Sequence, residues 1–227
     1  MHLLLLGLLF LLIIVGPSLW VTSVMKRYHH PANRYSKTGA EAARELLDAV
    51  ALPKVRTELT DKGDHYDPIE KVVRLSNANF HGRSLTAVTV AAHEVGHAIQ
   101  DADGFGPLHW RTHLVRWVGP IEKIGAGALM AAPFAAAVLR APRLGVLAFL
   151  GGMLVLASGV VVHALTLPTE LDASFRRALP LVKARGLIRE EDLPRARTLL
   201  TAAALTYVSG ALMSLLNIAR WWAILRR

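Results

Sequence analysis

The chain contains no cysteine. That absence excludes a disulfide framework, a thiolate zinc site and a cysteine nucleophile. It also lacks the low hydrophobicity of a disordered chain, because 53% of its 227 residues are hydrophobic. Its length fits one large or two small folding units. Charge is missing from whole stretches. Leu3 to Met25 holds no charged side chain, Leu144 to Leu167 holds one His, and Leu199 to Ala219 is interrupted only by Ser, Thr, Tyr, Asn and Gly. About 20 apolar residues suffice to cross a bilayer as a helix. Only Met1 and His2, no Lys or Arg, precede the first run and Lys26-Arg27 follow it, which favours an uncleaved anchor over a signal peptide. Ile124 to Leu139 is shorter and contains Pro133. The short connection Arg140-Ala141-Pro142-Arg143 joins it to the next run as in a transmembrane hairpin, so four spans are expected.

A concentrated basic face is missing too. The formal net charge is +9, yet the segment 26–123 carries 14 Lys/Arg against 12 Asp/Glu, and 168–197 carries seven against five. A nucleic-acid binder would show a basic stripe within a recognisable motif, so no nucleic-acid partner is expected. The charges instead flank the apolar runs. Cytoplasmic loops are rich in Lys and Arg near span ends. Lys26, Arg27, Arg34, Lys37 and the seven basic residues of 168–197 outnumber those on the other side, which places both segments in the cytoplasm. The expected organisation is an anchor over 1–25 and a zincin-like domain over 26–123. A membrane hairpin over 124–167, a helical segment over 168–197, and a last span with a basic tail over 198–227 follow.

What the sequence does contain is His93-Glu94-Val95-Gly96-His97, an H-E-x-x-H motif. On a helix, positions i and i+4 share a face, so both imidazoles can hold one Zn²⁺. Glu94 can then take a proton from an attacking water whose pKa zinc has lowered to about 7. Ser84 is a suitable N-cap, and Leu85 to Gln100 has no Pro and one Gly, so a helix is expected there. Asp101 to Pro107 ends it. Catalytic zinc usually has three protein ligands. The extended motif with a third His fails, because Gln100 and Asp103 occupy its Gly and His positions. Among downstream carboxylates, Glu122 is possible. Glu170 is best placed, in the first turn of a helix expected over Thr169 to Leu179 behind Pro168.

Asp64-His65-Tyr66-Asp67-Pro68, Val73-Arg74-Leu75-Ser76, His81-Gly82-Arg83-Ser84 and Ala91 to Gln100 together resemble the neutral zinc metallopeptidase family of bacterial membrane proteins, YugP-like. Leu167 to Ser174 is similar to that family's second motif, and Ala202 to Val208 to the start of its last span. The resemblance runs from about Thr38 to the C-terminus. It implies a gluzincin-type peptidase with one catalytic zinc held by His93, His97 and Glu170, and Glu94 as general base. In many gluzincins an acidic residue four positions after the ligand Glu supports the site. Here Ser174 stands there, with Asp172 two positions after Glu170, and both are candidates.

The fold class expected is a mainly α membrane protein of about four transmembrane helices with a small α+β zincin-like domain. The domain reads as helix, two strands and the active-site helix. Thr38 to Ala51 has helical periodicity, with Thr38 and Glu41 forming a capping box. Val55 to Leu59 and Lys71 to Ser76 alternate as strands. Ser76, Asn77, Ala78 and Asn79 are the expected edge for an extended substrate. His65, His81 and Arg83 are candidates for stabilising a developing oxyanion. The i, i+4 pair His109 and His113 has no Glu between and reads as an interfacial helix face. The expected function is a membrane-embedded zinc endopeptidase at the cytoplasmic face of a bacterial inner membrane, acting on peptide or membrane-protein segments, with a homo-oligomer or membrane partner possible. The alternatives are a non-catalytic zinc scaffold and an intramembrane-cleaving protease.

Overall fold

The computed structural model describes residues 2–115, 127 and 142–225. A long helix α1 (His2–Tyr28) leads into α2 (Gly39–Ala49). Thr38 caps α2, accepting the Glu41 backbone N–H while its own N–H donates to the Glu41 carboxylate, the reciprocal box that the sequence signalled. Three short strands follow: β1 (Arg56–Thr60), β2 (His65–Asp67) and β3 (Val72–Ser76). They form one sheet in the order β1-β3-β2, with β1 parallel and β2 antiparallel to β3. Val72, Val73 and Leu75 of the central strand are all fully buried. A strand covered on both faces carries consecutive apolar residues rather than alternation. The sequence signals only two strands because β2 is three residues long inside the turn-rich Asp64 to Pro68.

After a short helix α3 (Asn77–Phe80) comes α4 (Leu85–Ala102). Ser84 caps it through the Ala87 N–H. A further helix, α5, covers 106–115 and carries His109 and His113. The chain resumes in α6 (Pro142–Leu171), which runs without a break into a π-helical segment (Asp172–Ala178) and α7 (Leu179–Ala184). Pro168 lies inside α6, so it does not start a separate helix as expected. A 3₁₀ turn (Glu190–Asp192) then leads into α8 (Leu193–Leu225).

Leu46 and Leu47 of α2, Leu75 of β3, Val88 and Val95 of α4, Val182 of α7 and Leu199 of α8 form one buried cluster. The core therefore joins α2, the sheet and α4 to the later helices. Leu46→Ala is expected to cost about 2–5 kcal/mol, seen as a lower thermal midpoint in detergent.

The architecture is mostly helical with a small three-stranded sheet. Among the described residues, two helices are long and apolar enough to cross a membrane, Arg143–Ala184 and Glu190–Leu216, rather than four. The expected span Ile124 to Leu139 lies outside the described residues, as does Glu122. His163 of α6 packs on Gly210 of α8, where a Cβ would fall 2.5 Å from its ring.

Candidate metal centre

Helix α4 brings His93 and His97 to one face, one turn apart, with ring centroids 4.7 Å from each other. Glu170, 73 residues beyond His97 in the chain, arrives on the last turn of α6. Its Oε2 lies 3.1 Å from His93 Nε2, and its Oε1 lies 3.5 Å from His97 Nε2. One donor atom from each of the three residues falls within 4.8 Å of the others. Glu170 and His97 are buried and His93 nearly so. The three donors fit a divalent cation. Two imidazole nitrogens and a carboxylate oxygen are ordinary zinc ligands. Glu170 Oε1 is buried without a well-formed hydrogen bond, although the Arg111 guanidinium lies 3.0 Å away.

The outer ring nitrogens are held as well. His93 Nδ1 lies 3.0 Å from Ser174 Oγ. His97 Nδ1 lies 2.9 Å from Gln100 Oε1, and Gln100 Nε2 donates both to the Asp172 carboxylate and to the Thr169 carbonyl. The direction of this chain follows from chemistry. An ionised Asp172 only accepts, so the Gln100 amide nitrogen faces it. Gln100 Oε1 then accepts from His97 Nδ1–H, which leaves the Nε2 lone pair available to a cation shared with Glu170. Asp172 is fixed in turn by Arg177, whose Nε donates to it over 2.7 Å and whose other arm pairs with Asp103. Ser174 therefore touches one imidazole directly, and Asp172 reaches the other through Gln100.

The π segment makes this possible. In it the Leu179 N–H bonds to the Ser174 carbonyl, five residues back. Its wider winding lets Asp172, Ala173 and Ser174 all be buried against α4. Insertions of this kind are frequent at functional sites.

Glu94 is buried beside the ligands. Burial pushes its carboxyl pKa up and the flanking His93 and His97 pull it down, with the upward effect prevailing. Burial lowers the His93 pKa, but the hydrogen bond to Glu170 and the nearby Glu94 charge outweigh it, so the net direction is up. A cavity of about 360 Å³ opens over these groups, lined also by Asp64, His65, Tyr66, Arg111 and Tyr207. Of the candidate oxyanion donors, His65 lines this cavity. His81 and Arg83 do not. His81 packs edge-on against Phe80, and the Arg83 backbone pairs with Ala32 and Tyr35.

The expected substrate edge is corrected. Ser76 ends the central strand, paired with Thr60 of β1, and Asn77, Ala78 and Asn79 lie in α3. Asp64 explains the turn: one oxygen accepts from the Ser76 N–H and Oγ–H, and the other from Asn79 Nδ2. The strand at the sheet's edge beside the cavity is β2. Tyr66 anchors it by donating to Asp101 at the end of α4 over 2.6 Å.

The family described as "Putative neutral zinc metallopeptidase" matches residues 3–226. The chain belongs to this family. It is also 37% identical over 217 residues to "Putative membrane protease YugP" of Bacillus subtilis (strain 168), covering 91% of each chain. No solved structure matches. The family match extends the resemblance seen from Thr38 onward back through α1.

Gln100 and Tyr207 lie inside segments that carry the family resemblance but have no role assigned there, and Arg111 lies outside those segments. Gln100 is legible in retrospect, one turn after His97 on the same helix face. Gln100→Leu is expected to weaken zinc binding about 10–100-fold by freeing the His97 ring, measured by competition with a calibrated chelator. Unchanged affinity would show that the ring needs no such support.

Proposed function

We propose that this protein is a membrane-anchored zinc metalloendopeptidase. The observation that carries the reading is the convergence of His93, His97 and Glu170 beside a buried Glu94 in one accessible cavity. His93 Nε2, His97 Nε2 and Glu170 would hold the ion. When bound, zinc supplies Lewis acidity and brings the pKa of a water to about 7. Glu94 accepts the proton of the attacking water and passes it to the leaving amine. Arg111, Tyr207 and His65 line the same cavity and are assigned to the oxyanion that develops on the scissile carbonyl. An extended substrate adds to the free side of β2, so its backbone runs along the cavity. Support for a peptidase acting outside the bilayer, and against an intramembrane one, comes from α4 itself. Its buried face packs on α2, β3 and the π segment.

Beyond the two candidate helices, the proposed topology adds α1 and the apolar run Ile124 to Leu139, which lies outside the described residues. Helix α1 leaves Leu8, Leu9, Leu11, Leu12 and Leu19 exposed, as a lipid-facing helix does, and packs along α8. The 26–123 and 168–197 segments then lie on the cytoplasmic side of a bacterial inner membrane. A reporter fused after Arg227 should be dark in the cytoplasm, and a cytoplasmic signal would overturn this orientation.

The purified protein should contain about one zinc and cleave an unfolded polypeptide. Dialysis against a chelator should remove both zinc and cleavage, and zinc should restore both. Cleavage that persists in zinc-free protein would overturn the reading.

A further inference from the structure

Away from the metal centre, a cavity of about 200 Å³ lies where the end of α1 meets the start of α8. Arg27, His30, Arg34 and Arg195 line it together with Asp192. Asp192 is fully buried. Both its oxygens are in use: Arg34 donates to Oδ2 over 2.5 Å and to Oδ1 over 2.8 Å, Arg195 to Oδ1 over 2.7 Å, and Tyr35 to Oδ2 over 2.6 Å. The exposed Glu191 also touches Arg34, but it is shared with Arg189 outside the cavity. One buried carboxylate thus holds two guanidinium groups in place. Arg27 makes no ion pair among the described residues and stacks over Tyr28. The lining keeps a surplus of positive charge on arginines, whose forked donors match phosphate oxygens.

The cavity also sits at a boundary. Leu19, the nearest exposed leucine of α1, is eight residues before Arg27, or about 12 Å along the helix. The candidate span Glu190–Leu216 begins at the cavity's other wall, and its apolar run starts at Leu199, four residues beyond Arg195. A ligand with its anionic group among the arginines would have apolar helix surface on one side and the folded domain on the other. Basic pockets between spans at the cytoplasmic side suit anionic lipid headgroups.

We propose that this cavity binds the phosphate of an anionic membrane phospholipid, with Arg27 and Arg195 as the principal donors and Asp192 as the brace that orients Arg34 and Arg195. The proposal rests on α1 and α8 being membrane spans and is independent of the peptidase reading. The shared chemistry, a phosphate anion, could also come from solution, so the test separates the two sources. The full chain is placed in nanodiscs of equal phosphatidylcholine and phosphatidylglycerol, released, and examined by native mass spectrometry for retained lipid. Wild type should retain about one phosphatidylglycerol in preference to phosphatidylcholine, and retention without preference would overturn the proposal. Arg27→Ala with Arg195→Ala should reduce that retention about 30-fold. Arg56→Ala with Arg185→Ala, an equal charge change elsewhere, should not. Equal losses in both pairs would reduce the effect to general surface charge and overturn the site. Millimolar inorganic phosphate should leave the lipid bound. If phosphate alone displaces it and binds in an Arg27-dependent way, the site is one for free phosphate and the lipid assignment falls. Wild-type lipid preference is read without any variant, so it stands as a test even if the double variant fails to fold.

Discussion

Glu94→Gln is expected to bind zinc at the wild-type ratio and to lose peptide hydrolysis by about 10²–10⁴-fold, the usual contribution of a positioned general base. The substitution isolates proton transfer. Gln has nearly the shape of Glu, so it fits the same buried place on α4 between the two imidazoles. His93, His97 and Glu170 keep their positions, and so do Ser174 and Gln100 behind them. What the amide cannot do is accept a proton. The Glu94 carboxyl is raised above its ordinary range mainly by burial, which makes it a stronger base than a solvated carboxylate once ionised. The measurement pairs zinc stoichiometry with single-turnover cleavage of an unfolded polypeptide. Wild-type cleavage by a zinc-loaded Glu94→Gln protein would remove Glu94 from the chemistry. Loss of zinc along with activity would instead reassign it to holding the site together. A scaffold with structural zinc predicts a third result, no cleavage by either protein.

The parts of the fold written in local signals were legible. Thr38 with Glu41, and Ser84 ahead of a Pro-free stretch, mark the starts of α2 and α4 because a cap is a contact within three or four residues. The His93–His97 spacing likewise needs only one helix. Glu170 needed more: the return of the chain after a hairpin made it the best-placed carboxylate, and the resemblance to a peptidase family then implied it as a ligand. Where the sequence misled, the deciding contacts were distant. Ser76 to Asn79 looked like an edge, but Asp64, twelve to fifteen residues away, takes the Ser76 N–H and hydroxyl and the Asn79 side-chain nitrogen. Pro168 looked like a helix start, because its missing N–H and fixed φ suit a first turn as well as an interior kink. The structure carries the helix through it. Asp192, within the acidic run Glu190-Glu191-Asp192, is buried by Arg34 and Tyr35, more than 150 residues earlier in the chain. Arg111 and Tyr207 have no spacing relation to the motif at all. Only the packing of α5 and α8 over the cavity gives them a place in it.

Gly96→Ala should damage the site at least as much as loss of a contact that supports a ligand, although the H-E-x-x-H pattern leaves that position open. Gly96 lies where α4 meets the π segment, and a Cβ there would fall 2.5 Å from the Ala173 carbonyl oxygen and 3.1 Å from its carbon. No real contact is that short, and the obstacle is backbone, so no rotamer change relieves it. Ala173 is fully buried and flanked by Asp172 and Ser174. Moving its carbonyl away therefore pulls Ser174 from His93 and Asp172 from Gln100, and carries Glu170 with them on the same continuous helix. The added methyl acts on the one surface that brings the two halves of the ligand set together. Overpacking of this kind costs about 1–3 kcal/mol, and more where backbone must shift. Zinc affinity should fall by at least the 10–100-fold expected when supporting contacts are lost. Gly151→Ala provides the comparison, since nothing lies within 4 Å of a Cβ there and both quantities should be unchanged. Thermal midpoints with and without zinc, together with chelator competition, read the two effects. A Gly96→Ala protein with wild-type zinc affinity would mean that α4 and the π segment can separate without opening the site, and the support assigned to Ser174 and Asp172 would be wrong.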